Sequence, residues 1–121
     1  PWDWSVPQND GYWQETTDLN NPCPLGFRVP TSQEWEAEIN TWTSQGPEGA
    51  FSSALKLPLG GLKDMTDGIH TRQDTIGSYW TNTTMSPYAE VIFFGTVENN
   101  SYLVFEPSAR AHGRCIRCIK N

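Results

Sequence analysis

The chain has 121 residues, a net charge of −6 and three cysteines, Cys23, Cys115 and Cys118. That length makes one domain, residues 1–121, with six Trp, four Tyr and five Phe to fill a core. Residues 1–50 carry eight acids against Arg28 alone, and residues 51–121 carry six acids against seven bases. An acidic chain without a basic stripe lacks the charge that nucleic-acid binding needs, and no apolar run of about 18 residues offers a membrane span.

The start at Pro1, PWDW, reads as a cut from a larger chain. Residues 1–20 hold Trp2, Trp4, Tyr12 and Trp13 among polar residues, with Pro7 and Gly11 as breakers and no helical period. They read as an N-terminal strand or extended arm, then a loop packed by its own aromatics. Clustered Trp can form a sugar-stacking platform, and more often serves as core plug and loop anchor. Pro22-Cys23-Pro24 excludes helix. Gly26 supplies a turn, and Phe27-Arg28-Val29 is a short strand ended by Pro30.

Thr31 is a helix N-cap, with Glu34 completing a capping box. Trp35, Ile39 and Trp42 make one apolar stripe, and Gly46-Pro47 stops the helix. Glu36 and Glu38 resemble a catalytic carboxylate pair, but two apart on a helix they point to different sides, as a solvated face does. Residues 46–53 read as a loop, and Ala54–Leu59 as a strand of alternating leucines ended by Gly60-Gly61. Residues 62–76 are polar. Their Asp64, Asp67 and Asp74 are a candidate calcium loop, but the spacing is not that of an EF-hand, so no cofactor is assigned. His70 stands alone.

The last third reads as strands: Ser78–Thr81, Tyr88–Phe94, Ser101–Phe105 and Arg114–Ile119, with turns at Gly95, Glu98-Asn99-Asn100 and Pro107–Gly113. Strands behind one capped helix predict an α+β fold.

Cys115-x-x-Cys118 invites a redox or zinc reading. Redox pairs of this spacing occupy a strand-to-helix turn, whereas this one lies in a β-like run, RCIRCIK. Zinc takes about four ligands, and three Cys and two distant His do not supply a set. Alternation puts Cys118 on the face of Ile116, directed inward. The favoured pairing is Cys23–Cys118, with Cys115 left over. Closing so long a loop stabilises by about 4–5 kcal/mol in the chain-entropy model, and points to an oxidising compartment such as periplasm, cell surface or medium.

An ordered set of short motifs spans the chain: Trp2-Asp3-Trp4, Pro7-Gln8-Asn9-Asp10 with Trp13, Asn21-Pro22-Cys23-Pro24, Gly26-Phe27-Arg28-Val29-Pro30-Thr31, Glu34-Trp35, Leu55-Lys56-Leu57-Pro58, Gly77-Ser78-Tyr79-Trp80-Thr81 and Arg110-Ala111-His112-Gly113 before Cys115-Ile116-Arg117-Cys118. Together they resemble the Fibrobacter succinogenes major paralogous domain of secreted and surface proteins. The resemblance implies a C-type-lectin-like fold, akin to formylglycine-generating-enzyme domains and to retroelement-diversified variable proteins. That fold brings its termini together, which a Cys23–Cys118 bridge suits. Cys115 departs from the family pattern, and is left as a free thiol or as a partner for a cysteine outside the domain. The calcium–sugar signature of the fold is missing, since Glu106-Pro107-Ser108 lacks its Asn and no Trp-Asn-Asp follows. The cysteine-pair activity of the formylglycine enzymes does not carry over, because the bridge occupies the cysteines.

The expected function is therefore non-catalytic ligand binding in a secreted or surface protein. No Ser/His/Asp set points to an enzyme, and His112 reads as a backbone-holding turn residue. Matching Ile92 and Phe94 to the core positions of the family turns Val91 and Phe93 outward. The candidate surface is Asn82, Thr84, Tyr88, Val91, Phe93, Thr96, Glu98, Asn99, Tyr102 and Val104, an apolar centre with a polar rim. A one-residue slip reverses every side chain and makes Val91 and Phe93 ordinary core. The expected partner is a protein on a cell or phage surface. The alternatives are a glycan, as in an adhesin module, and a purely structural surface-array module. The Asn, Tyr, Ser, Thr, Val and Phe of residues 82–105 match the mix of a diversified surface and equally that of ordinary strands.

Overall fold

The computed structural model describes residues 3–14 and 19–121. In chain order the elements are β1 (Phe27–Arg28), α1 (Ser32–Ile39), α2 (Pro47–Ser52), β2 (Leu62–Lys63), β3 (His70–Thr71), β4 (Ile76–Met85), β5 (Tyr88–Val97), β6 (Asn100–Ser108) and β7 (Ile119–Lys120). The architecture is α+β, with small antiparallel sheets and two short helices rather than the one expected. Trp2 lies outside the described residues, and residues 3–14 form turns and bends packed by Trp4, Tyr12 and Trp13, so the expected aromatic loop is present but the strand or extended arm before it is not.

The capping box of α1 forms as its sequence predicts: Thr31 Oγ1 accepts from the Glu34 N–H at 3.2 Å, and Glu34 accepts from the Thr31 N–H at 2.9 Å. The helix stops earlier than Gly46. Its last turn tightens, with Thr41 N–H donating to Glu38 O and Trp42 N–H to Ile39 O. Thr41 Oγ1 donates to Glu38 O as well, a local bond that competes with continuing the helix. The tightened turn lays Trp42 edge-on against Phe94, 6.0 Å between centroids.

Residues 46–53 are not a loop. Pro47 starts α2, where a missing N–H costs nothing. Ala54–Leu59 is not a strand. Lys56 takes a left-handed φ of 52°, and Leu57 N–H turns back to Ala50 O at 3.1 Å. The leucines still serve the core: Leu57 is fully buried, with Leu55 and Leu59 packed beside it.

β4, β5 and β6 make an antiparallel meander with β5 central. One face carries Tyr79, Ile92 and Phe94, which pack on Trp35, Ile39, Ala50 and Leu57. The opposite face carries Trp80 and Val91, covered by Val29 and flanked by Trp13 and Cys23. Alternation therefore holds along β5, but this second face is itself core at one end.

The predicted Arg114–Ile119 strand is split. Cys115 makes a parallel bridge on the outer edge of β4, through Cys115 N–H to Ser78 O and Trp80 N–H to Cys115 O, both 3.0 Å. β7 then leaves to pair with β1, Phe27 opposite Lys120. Ile116 is exposed, so the inward direction expected for its face fails, although the pairing inferred for Cys118 holds. Cys23 and Cys118 are disulfide-bonded, Cα atoms 5.8 Å apart, and Cys115 is free. Asn121 N–H donates to Gly26 O beside the bridge. Residues 23–28 are thus clasped to the C-terminal residues 118–121.

Candidate functional site

Ser108 ends β6 on one edge of the meander, and Cys115 bonds to β4 on the other. Residues 109–114 must therefore cross one face of the sheet. They cross the Val91–Phe93 face: the guanidinium of Arg114 lies 5.9 Å from the Phe93 ring, donates to Ser78 Oγ at 2.7 Å, and its Nε donates to Ser108 Oγ at 3.0 Å. Burial lowers the Arg114 pKa from the usual guanidinium value, with Glu106 opposing that shift.

This crossing divides the ten predicted surface residues. Val91 is fully buried under Val29 and Trp80, so its side chain is closed to ligand. Phe93 is half-buried, stacked on Tyr102 at 5.9 Å and capped by Arg114. Tyr102 lies flat across Gly95, where an added Cβ would come within 2.6 Å of its hydroxyl. Burial raises the Tyr102 pKa. Val104 faces Phe93 in the register and is 42 % exposed on the edge strand. Thr96, Glu98 and Asn99 are exposed at the β5–β6 hairpin end, where Glu98 and Asn99 both take left-handed φ, as a two-residue hairpin turn requires. Alternation turns Thr96 to the Phe94 face, away from the strip, so the strip lies together with the hairpin tip at Glu98 and Asn99.

Asn82, Thr84 and Tyr88 are at the other end of the same strands. Asn82 and Thr84 line a cavity with Trp4, Tyr12, Trp13 and Trp80. The aromatics run inward from the surface. Trp4 is 57 % exposed and stacks on Tyr12 at 6.2 Å, Trp4 and Trp13 are 6.4 Å apart, and Trp13 meets Trp80 edge-on at 6.3 Å. Arg110 holds this N-terminal loop to the sheet. Its Nη1 pairs with Asp3 at 3.5 Å, its Nη2 with Asp10, and its Nε and Nη2 donate to Tyr88 O at 3.3 and 3.1 Å. The same contact to Arg110 holds the Asp10 carboxyl below its ordinary pKa. Gln14 adds a bond from Nε2 to Asn82 O at 2.7 Å.

The sequence showed the aromatic cluster but not its join to Asn82 and Thr84, because Arg110 and Gln14 make that join over long separations. Arg114 was also missed, and a lone Arg between Gly113 and Cys115 gives no local signal for it.

Both histidines are held by backbone. His112 Nδ1 accepts from Met65 N–H at 3.2 Å, and His70 Nε2 donates to Gly60 O at 2.7 Å, the partner missing from the sequence reading. Burial pushes the Cys115 thiol up, which disfavours its thiolate. Asp64 and Asp67 accept from backbone N–H groups of their own turns, at Thr66 and Ile69. Among the described residues no group of three His, Cys, Asp or Glu gathers as a metal site, and none of the helices is long and apolar enough to cross a membrane.

Searches of protein-family models, of curated proteins and of solved structures find no match to this chain.

Proposed function

We propose that this chain is a non-catalytic recognition domain of a bacterial secreted or surface protein, built on a C-type-lectin-like plan, and that it binds a protein ligand. The observation that carries this reading is the strip on the open part of the Phe93 face. Val104 is exposed at its centre, Phe93 and Tyr102 form a stacked floor, and Glu98 and Asn99 lie exposed at the hairpin end beside it. Tyr and Phe offer large contact area with few torsions to freeze, and Asn offers adaptable hydrogen bonds. The Cys23–Cys118 bridge supports an oxidising compartment. The family assignment rests on the motif set from Trp2 to Cys118, and the bridge from Cys23 to the C-terminal Cys118 is in keeping with it.

The test is binding of the labelled domain to intact bacterial cells and to phage particles, before and after surface proteolysis. The reading expects saturable binding that protease removes and that Val104→Lys abolishes with the melting temperature unchanged. Undiminished binding by Val104→Lys overturns it. A reverse transcriptase and template repeat beside the gene would place the strip among diversified surfaces.

A further inference from the structure

We infer that the cavity between the N-terminal loop and β4 is a calcium-independent subsite for a neutral saccharide, separate from the Val104 strip. Its walls are aromatic, and its charges are already matched. Asp3 Oδ1 accepts from Ser5 N–H at 2.9 Å, and Asp3 Oδ2 pairs with Arg110. Both side chains are about nine-tenths buried, 10 % and 9 % exposed. All three guanidinium nitrogens of Arg110 are engaged, Nη1 with Asn9 O and Asp3, Nη2 with Asp10 and Tyr88 O, and Nε with Tyr88 O. A cationic ligand would find no free carboxylate oxygen on Asp3, and an anionic one no free guanidinium nitrogen. Either would lose its hydration without a counter-charge.

Two neutral groups do remain open. Among the described residues, neither the Asn82 side-chain amide nor the Thr84 hydroxyl makes a hydrogen bond. Asn82 is tied down through its backbone instead, its N–H donating to Pro30 O and its carbonyl accepting from Gln14. Its position is fixed while its donor and acceptor stay available. An exposed indole beside an amide and a hydroxyl fits a pyranose, whose C–H face stacks on an aromatic ring while its hydroxyls pair with neutral donors and acceptors. The cavity volume is about 40 Å³, room for a methyl or hydroxymethyl group but not a ring. The ring therefore lies over Trp4 at the mouth, with one small exocyclic substituent inside.

The experiment follows tryptophan emission and ligand-detected NMR in EDTA. The probes are glucose, galactose, mannose, fucose, N-acetylglucosamine and N-acetylgalactosamine with their short oligomers. Sialic acid, glucosamine and tetramethylammonium serve as charged controls. At least one neutral sugar should bind with Kd on the order of 1 mM or tighter, and Trp4→Ala and Asn82→Ala should each weaken it about tenfold or more. Trp4 and Thr84 are exposed, so Trp4→Ala and Thr84→Val keep the test independent of folding. Val104→Lys should leave sugar binding unchanged, which separates this site from the protein-binding strip. The inference is overturned if no neutral sugar binds, if only a charged control binds, or if binding survives Trp4→Ala.

Discussion

Both terminal nitrogens of Arg28 grip the carboxylate of Glu34, at 2.7 and 2.6 Å, and the same carboxylate caps α1 through Thr31 N–H. One side chain thus joins the β1–β7 clasp to the helix. The hydrogen bonds to Arg28 hold the Glu34 pKa at about 2, down from 4.5. A depressed carboxylate pKa gives stability that is full above the unfolded value and is lost as pH falls through the folded one. Glu34→Gln keeps a capping acceptor but removes the charge. At pH 7 it should cost about 1–2 kcal/mol after allowance for partial exposure. In urea titrations the gap between wild type and Glu34→Gln should shrink below pH 4.5 and close near pH 2. A gap that stays constant over that range would refute the linkage.

The Cys23–Cys118 bridge spans a sequence separation of 95 residues and adjoins the two-residue pairing of β1 with β7. So short a pairing holds little by itself. Cys23→Ala with Cys118→Ala should cost about 4 kcal/mol in the chain-entropy model. Thiol titration of the denatured, unreduced protein should find one group, Cys115. Three would show that the bridge does not form.

Arg110 is the mooring of the N-terminal loop, and Asp3 is buried against it. Arg110→Leu leaves that carboxylate in apolar surroundings without a counter-ion. The expected cost is about 3 kcal/mol, with a red shift of tryptophan emission as Trp4 and Trp13 lose their packing. Thermal melts and fluorescence check it. An unchanged emission spectrum would show that the loop is held without Arg110.

Legibility in the sequence followed the range of each interaction. The capping box of Thr31 and Glu34 was readable because it is complete within four residues. The β5 face assignment came through because alternation is a backbone property, so Phe94 and Phe93 point to opposite sides whatever covers them. Coverage itself was not readable. Val91 is buried by Val29, 62 residues away along the chain, and Phe93 is capped by Arg114 as residues 109–114 cross the sheet. Leu55, Leu57 and Leu59 announced burial but not strand, since a turn at Lys56 can aim all three at one core without a neighbouring ladder. The candidate site divides in the same way. Exposed Val104 was visible, while the cavity of Asn82 and Thr84 depends on Trp4 and Tyr12 returning from the opposite end of the chain.

Phe93 and Val104 face each other across β5 and β6, yet their substitutions should behave differently. Phe93 is half-buried between Tyr102 and Arg114, so Phe93→Ala removes a ring stack and bares the Arg114 stem. It should cost about 1–2 kcal/mol and lower the melting temperature by several degrees. Val104 is open on an edge strand, and Val104→Lys should change stability by no more than about 0.5 kcal/mol. A charged edge residue also discourages strand-to-strand association, so the variant should be no less soluble than wild type. Calorimetric melts of the two variants decide the matter. If Val104→Lys melts as far below wild type as Phe93→Ala, Val104 is packed rather than presented, and the strip is not a free surface.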